Sequence, residues 1–192
     1  MNLIDKFHNW RRKRRWNKQY KSGRWDNLKN EKEAKRYFKI VELIKEYGTV
    51  NPTILDLGSG EGVLNKSLND FEFSYFLGID FSEVSIKKAL KKKYPNSEFK
   101  TADLHSFIPE KFYDIIIFNE AFYYVYDKER QKVLDRMMSK LNPNGIIINS
   151  IYKEGLGCWE YFNIDQLKQL DFVTVTTEDD NTYWKIGVYQ KQ

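Results

Sequence analysis

Ile54-Leu-Asp-Leu-Gly-Ser-Gly-Glu-Gly62 is the stretch that decides the fold. The apolar run 53–57 passes directly into three glycines at alternate positions, and a helical pattern follows from Val63. Strand, tight turn and helix in that order open a parallel α/β unit, because glycines permit the turn and leave bare backbone for a ligand to approach. A dinucleotide site would space its glycines Gly-x-Gly-x-x-Gly, to seat a pyrophosphate on the helix N-terminus. Here the spacing differs, and Asp56 and Glu61 crowd the loop with negative charge. Two carboxylates repel a pyrophosphate and tolerate a cationic ligand without phosphate.

Outward from the loop, short apolar runs alternate with helical stretches. The pattern predicts strands over 53–57, 75–79, 97–101, 113–118 and 145–151, and helices over 63–69, 83–92 and 128–141. Repeated strand–helix alternation implies a mostly parallel sheet covered on both faces. Ile115-Ile-Ile-Phe118 is apolar throughout, as a central strand buried on both sides must be. Asn142, Pro143, Asn144 and Gly145 mark a turn before the next strand. A short helix over 164–170 is predicted, then strands over 172–177 and 183–190 around a polar turn at 178–181, a terminal antiparallel hairpin. Upstream, 26–47 lacks Gly and Pro and reads as one amphipathic helix ended by Gly48.

The chain has 192 residues, 41% hydrophobic and 16% aromatic, which suits one domain with a real core and excludes a disordered or low-complexity chain. No apolar run approaches the roughly 20 residues that cross a bilayer, and residues 1–16 carry charge throughout, unlike a signal peptide. A single cysteine, Cys158, rules out an intrachain disulfide, so a cytoplasmic setting is expected. The net charge of +5 hides an asymmetry: residues 1–39 sum to +10 and residues 40–192 to −5. Arg11, Arg12, Lys13, Arg14 and Arg15 lie between Trp10 and Trp16 and dominate the positive part. A second cluster, Lys87, Lys88, Lys91, Lys92 and Lys93, reads as a solvated helix surface.

The second predicted strand runs into Gly78-Ile-Asp80-Phe-Ser82, and Asp80 stands 24 residues beyond Asp56, where an acid accepts both hydroxyls of a ribose. Asp56 and Asp80 together point to an adenosyl ligand lacking phosphates. At these residues the chain, over 53–190, resembles the class I S-adenosylmethionine-dependent methyltransferases. Asp56-Leu-Gly58-Ser59-Gly60-Glu61-Gly62 matches the first motif of that family, Asp80 with Phe81 and Ser82 the ribose-binding segment, and Ala102-Asp103-Leu104 the adenine-binding one. Tyr113-Asp-Ile-Ile-Ile-Phe-Asn119-Glu120 matches the fourth motif, and Leu141-Asn-Pro-Asn-Gly145 the turn before the fifth strand. The resemblance implies a Rossmann-like α/β sandwich with a mostly parallel seven-stranded sheet, S-adenosyl-L-methionine as cofactor, S-adenosyl-L-homocysteine as product, and no metal.

Residues 1–48 resemble the basic helical lid of small methyltransferases from polysaccharide, nodulation-factor and amino-sugar pathways, ahead of a cofactor-binding unit over 49–192, the whole one compact body. By that resemblance Trp25 and Tyr37 cover the cofactor, Arg36 pairs with its carboxylate, and Asn119 holds its methionine end. The acceptor implied is a hydroxyl or amine on a sugar or surface-polysaccharide precursor. A poor nucleophile must lose a proton as the new bond forms, so a general base is expected. Glu120 is the first candidate, with the alternative role of holding Asn119; Tyr123 orients or replaces it, and His105 is the third choice. The residues Asn119-Glu-Ala-Phe122 lack the prolines of nucleobase amine methyltransferases.

The basic N-terminus admits three partners: a negatively charged or nucleotide-linked acceptor drawn in by steering, a nucleic acid, or an anionic membrane touched by Leu3, Ile4, Phe7 and Trp10. His8 is too distant from any motif to take part.

Overall fold

The computed structural model describes residues 3–155, 157–178 and 181–192, with side chains from Trp10 onward except Lys29. The membrane face proposed for Leu3, Ile4 and Phe7, and the tip of the 178–181 turn at Asp179 and Asp180, lie outside the described residues.

Seven strands form one sheet: β1 (Thr53–Leu57), β2 (Tyr75–Asp80), β3 (Ser97–Thr101), β4 (Tyr113–Asn119), β5 (Leu141–Tyr152), β6 (Leu167–Thr176) and β7 (Tyr183–Lys191). Their order is β3-β2-β1-β4-β5-β7-β6, parallel through β5 and antiparallel where β7 enters between β5 and β6. Five helices accompany them: α1 (Leu3–Lys21), α2 (Glu31–Tyr47), α3 (Val63–Ser67), α4 (Glu83–Leu90) and α5 (Asp127–Met138). β4 takes the middle of the sheet, and Ile115, Ile116, Ile117 and Phe118 are all fully buried, as an apolar run flanked on both faces requires.

Two cores lie on opposite faces of the sheet. On one, α2, α3 and α4 supply Ile40, Leu43, Ile44, Leu64, Ile86 and Ala89 against Ile54, Ile115 and Ile117. On the other, α5 supplies Val133, Leu134 and Met137 against Leu55, Ile116 and Phe118. α2, placed within the segment 1–48, is therefore a wall of the core. Among the described residues no helix is long and apolar enough to cross a membrane.

Three expectations are corrected here. The helix read over 26–47 is interrupted: a 3-10 turn spans Asp26–Lys29, Asn30 is extended at φ −76° and ψ 158°, and α2 begins at Glu31. Asn favours that N-cap conformation over a helix interior. The helix read over 164–170 is absent, because β6 already begins at Leu167 and pairs with Lys191. β5 is longer than expected: Leu141 pairs with Tyr113, and residues 142–145, read as a turn, lie inside the strand as an irregularity before the register resumes at Ile146.

At the sheet centre β2 departs from one side of β1 and β4 lies on the other, so the loops leaving the carboxyl ends of β1 and β4 diverge. Open α/β sheets bind ligands at such a point.

Candidate active site

A crevice of about 430 Å³ opens there, lined from below by Gly58–Glu61 after β1, Asp80 and Phe81 at the end of β2, Ala102–His105 after β3 and Asn119, Glu120, Ala121, Tyr123 and Tyr124 at the end of β4. The N–H groups of Gly58 and Ser59 both donate to the Ile79 carbonyl, at 2.9 and 2.8 Å, which folds the loop back over β2. Gly58 and Gly60 adopt φ +84° and +54°, conformations that suit glycine. A Cβ at Gly58 would stand 2.8 Å from that of Ala121, and one at Gly60 would stand 2.9 Å from the Tyr20 hydroxyl. Any side chain at either position would fill the floor of the crevice or lift its roof.

Asp56 lies beneath this loop, fully buried, and does not line the crevice. Neither of its carboxylate oxygens has a hydrogen-bond partner in the protein, and Ser59 Oγ and Trp25 Nε1 are likewise buried and unpartnered. Buried polar groups are rarely left so. Burial and the neighbouring Asp80 push the Asp56 carboxyl up to about 8, against the lowering effect of Arg36. Orphaned acceptors beside an orphaned indole donor fit a ligand that carries both an ammonium and a carboxylate, as the methionine end of S-adenosylmethionine does.

Asp80 takes Gly60 N–H on Oδ2 at 3.1 Å, and Ser82 N–H and Ser85 Oγ–H on Oδ1 at 2.7 and 2.9 Å. Burial raises its pKa all the same. Ser82, expected among the cofactor contacts, is fully buried and spent as the N-cap of α4, its Oγ accepting from Val84 and Ser85 N–H at 3.2 and 3.3 Å. Apart from Asp56 and Ser82, the expected contacts reach the crevice: Trp25, Arg36, Tyr37, Gly58, Ser59, Gly60, Glu61, Asp80, Phe81, Ala102, Asp103, Leu104 and Asn119.

A stability test follows from the raised carboxyls Asp56, Asp80 and Glu120. The folded chain keeps protons that the unfolded chain has released, so their contribution is full below the ordinary carboxylate range and lost as pH rises toward 8. The free protein is expected to melt at a lower temperature at pH 8 than at pH 6. S-adenosylhomocysteine, whose ammonium favours ionised Asp56, should raise the Tm more at pH 8. An increment equal at both pH values contradicts the placement of Asp56.

The roof is α1, which residue periodicity did not disclose. Arg12, Trp16 and Tyr20, spaced i, i+4 and i+8, form the stripe that faces down into the crevice. Trp16 stacks on Trp25 with centroids 5.2 Å apart and meets the edge of Tyr124 at 4.9 Å. The Arg12 guanidinium lies over the rings of Phe81 and Tyr126 at 5.3 and 4.9 Å. The stripe was visible in the spacing, yet the flanking arginines masked it by making every face of the helix polar. Tyr152, Thr182 and Trp184, from the far side of the sheet, complete the lining without any sequence signal.

The second lysine cluster is not wholly solvated. Lys88 Nζ lies 2.6 Å from Glu61 Oε1, and Lys92 Nζ donates to the Glu61 carbonyl at 2.7 Å. Arg36, almost fully buried, places Nε and Nη2 on Glu33 Oε2 at 3.2 and 2.8 Å and Nη1 on Asn119 Oδ1. A guanidinium has five N–H donors, so two remain for a ligand carboxylate.

Beyond β4 the chain turns sharply at Glu120, a non-glycine residue at φ 56°. Its Oε2 accepts the Tyr123 hydroxyl at 2.9 Å and the Tyr152 N–H at 3.2 Å. Burial raises the carboxyl to about 7, although Arg36, Tyr123 and the Tyr152 N–H all pull it down. Tyr123 is pushed far above its ordinary range by burial and by Glu120, so it remains a phenol and a donor. His105 Nε2 accepts the Tyr126 N–H at 3.1 Å, which assigns the proton to Nδ1, 2.7 Å from Asp103 Oδ1. Both imidazole nitrogens are thus engaged. Burial works to raise Asp103, but His105 and Arg12 outweigh it and hold the carboxyl low.

Residues 49–191 match the family model described as "Methyltransferase domain". Over 122 residues the chain is 32% identical to a malonyl-[acyl-carrier protein] O-methyltransferase of Ilyobacter polytropus, covering 62% of this chain and 45% of that protein. It thus spans about half the length of the curated relatives it matches. Among solved structures, N-methyltransferase NodS from Bradyrhizobium japonicum WM9 in complex with S-adenosyl-L-homocysteine superposes with a TM-score of 0.73 at 18% identity, covering 87% of this chain and 91% of that one. Magnesium protoporphyrin IX methyltransferase from Synechocystis PCC 6803, also with bound S-adenosylhomocysteine, gives 0.65 at 16% identity, covering 82% of each chain. The chain belongs to the family described by the methyltransferase-domain model, and its fold is that of the S-adenosylhomocysteine-bound methyltransferases on which it superposes.

Proposed function

We propose that this chain methylates a hydroxyl or amine of a small-molecule acceptor, a sugar or surface-polysaccharide precursor, with Glu120 as the general base. The observation that carries this reading is the Glu120 carboxyl itself: it faces the crevice beside Asn119, is oriented by Tyr123 and the Tyr152 N–H, and is raised to about 7. A base is most effective when its pKa lies near the working pH. His105, with both nitrogens engaged, holds Asp103 and the Tyr126 backbone in place and leaves the proton to Glu120.

S-adenosylmethionine, when bound, supplies a methyl group on a sulfonium whose positive charge is relieved as the group departs. The chain's part is to bind, align and dry the site. Asp80 would hold the ribose, Asp103 and Leu104 the adenine, and Asp56, Arg36 and Asn119 the methionine end. Tyr124, Tyr152 and Trp184 would wall the acceptor side with rings, and aromatic faces suit the apolar faces of a sugar. Such alignment supplies most of the acceleration in a displacement of this kind.

Arg11, Arg14, Arg15 and Lys18 face outward on α1 beside the crevice, which suits an acceptor bearing phosphate or nucleotide and equally favours a second reading, an RNA substrate. A methyl-transfer screen over nucleotide sugars, glycans and RNA, repeated across salt concentrations, separates them. Turnover confined to saccharides supports the first reading. RNA methylation with affinity falling steeply as salt rises supports the second and removes the first.

A further inference from the structure

We infer that Lys88 is a positioning residue that clamps the lid helix α1 to the glycine-rich loop and so governs how fast the cofactor leaves. Its Nζ donates to the carbonyl of Tyr20, in the last turn of α1, at 3.1 Å, pairs with Glu61 Oε1 at 2.6 Å and stands 3.9 Å from Asp26 Oδ1. One ammonium thus joins roof, floor and the turn between α1 and α2. Glu61 is nearly buried, its side chain 6% exposed, whereas Lys88 stays 35% exposed. Removing one partner of a pair this desolvated costs more than parting a surface pair, because the nearly buried charge of Glu61 loses the ammonium beside it.

The lid has other attachments to α4, but none reaches the loop. Lys13 pairs with Glu83, and Ser82 Oγ–H donates to Asn17 Oδ1 at 2.8 Å. Lys92 Nζ donates to the Glu61 carbonyl, on the floor side of the crevice. At Lys88 the two meet, beside the place where the Tyr20 hydroxyl overhangs Gly60. A cofactor lying on Gly58–Gly60 would be covered by Trp16 and Tyr20 of α1, and lifting α1 means parting Lys88 from the Tyr20 carbonyl. The inference rests on the cofactor assignment, which S-adenosylhomocysteine binding to the native chain establishes separately.

The test measures S-adenosylhomocysteine release by a chase experiment read through the lid tryptophans, together with hydrogen exchange of residues 12–25. Lys88→Met keeps length and loses charge, Lys88→Arg keeps the charge, and Lys91→Met removes an equal charge from the exposed side of α4. Lys88→Met is expected to release the ligand about tenfold faster and to lose amide protection in the lid, since truncating one partner of a desolvated pair acts mainly on the off-rate. Lys88→Arg should stay within about threefold of native and Lys91→Met within about twofold. Lys88→Gln, which also removes the charge and keeps a polar end, is expected to speed release several-fold. Release within twofold of native in Lys88→Met overturns the inference, as does unchanged lid exchange, or failure of Lys88→Arg to restore a folded protein to the native rate. Should Lys88→Met not fold, release within twofold of native in folded Lys88→Gln overturns it.

Discussion

Asp80→Ala is expected to weaken S-adenosylhomocysteine binding by about 10²–10⁴-fold. Hydrogen bonds to an ionised group are worth about 1.5–3 kcal/mol each, and a ribose offers two hydroxyls to this carboxylate, which gives about 3–6 kcal/mol and the stated range. The substitution acts a second way, because the same carboxylate receives Gly60 N–H, Ser82 N–H and Ser85 Oγ–H. Losing it frees the glycine-rich loop from the start of α4. Asp80→Asn keeps the volume and one acceptor oxygen, so an intermediate loss of about 10–100-fold is expected. Calorimetric titration reads both, with circular dichroism to show that the variants are folded. Near-native affinity in Asp80→Ala would remove the ribose from the end of β2.

Glu120→Gln should reduce turnover by about 10²–10⁴-fold, the span that a positioned general base contributes, while the Kd for S-adenosylhomocysteine stays within about threefold. The amide keeps the shape and accepts the Tyr123 hydroxyl, but it takes no proton from the acceptor. A pH profile gives the sharper readout. With the carboxyl raised to about 7, native turnover should climb with pH until Glu120 is ionised and then level off. The rising limb should vanish in Glu120→Gln. Full turnover in the variant assigns the proton to another group, with Tyr123 the first to be tried because its hydroxyl shares the same hydrogen bond.

The floor of the crevice was legible because backbone chemistry is written in residue type. Only glycine tolerates φ +84° and +54° at Gly58 and Gly60 with Ala121 and Tyr20 so close, so the turn betrays itself in sequence. Asp80 was legible for a related reason, its distance along a strand–helix–strand unit of ordinary length. Ser82 caps α4 and stands outside the crevice lining, and nothing in one sequence separates a serine that caps from a serine that touches a ligand.

The roof escaped for an electrostatic reason. In α1 the inward stripe contains an arginine, Arg12, which lies on aromatic rings and so replaces the apolar residue that periodicity seeks. The false helix over 164–170 has a geometric cause. β6 pairs Gln169 with Tyr189 and then Asp171 with Val188, leaving Leu170 over. That bulge resets the alternation of the strand, so Ile164, Leu167, Leu170 and Val173 fall three apart and imitate a helical face.

Everything rests on a phosphate-free adenosyl ligand lying across the carboxyl ends of β1 and β2. The most direct measurement is calorimetry of the native chain with S-adenosylhomocysteine and, separately, with an adenine dinucleotide. Saturable one-to-one binding of S-adenosylhomocysteine with no heat from the dinucleotide is the predicted result. Binding of the dinucleotide with none of S-adenosylhomocysteine would contradict it.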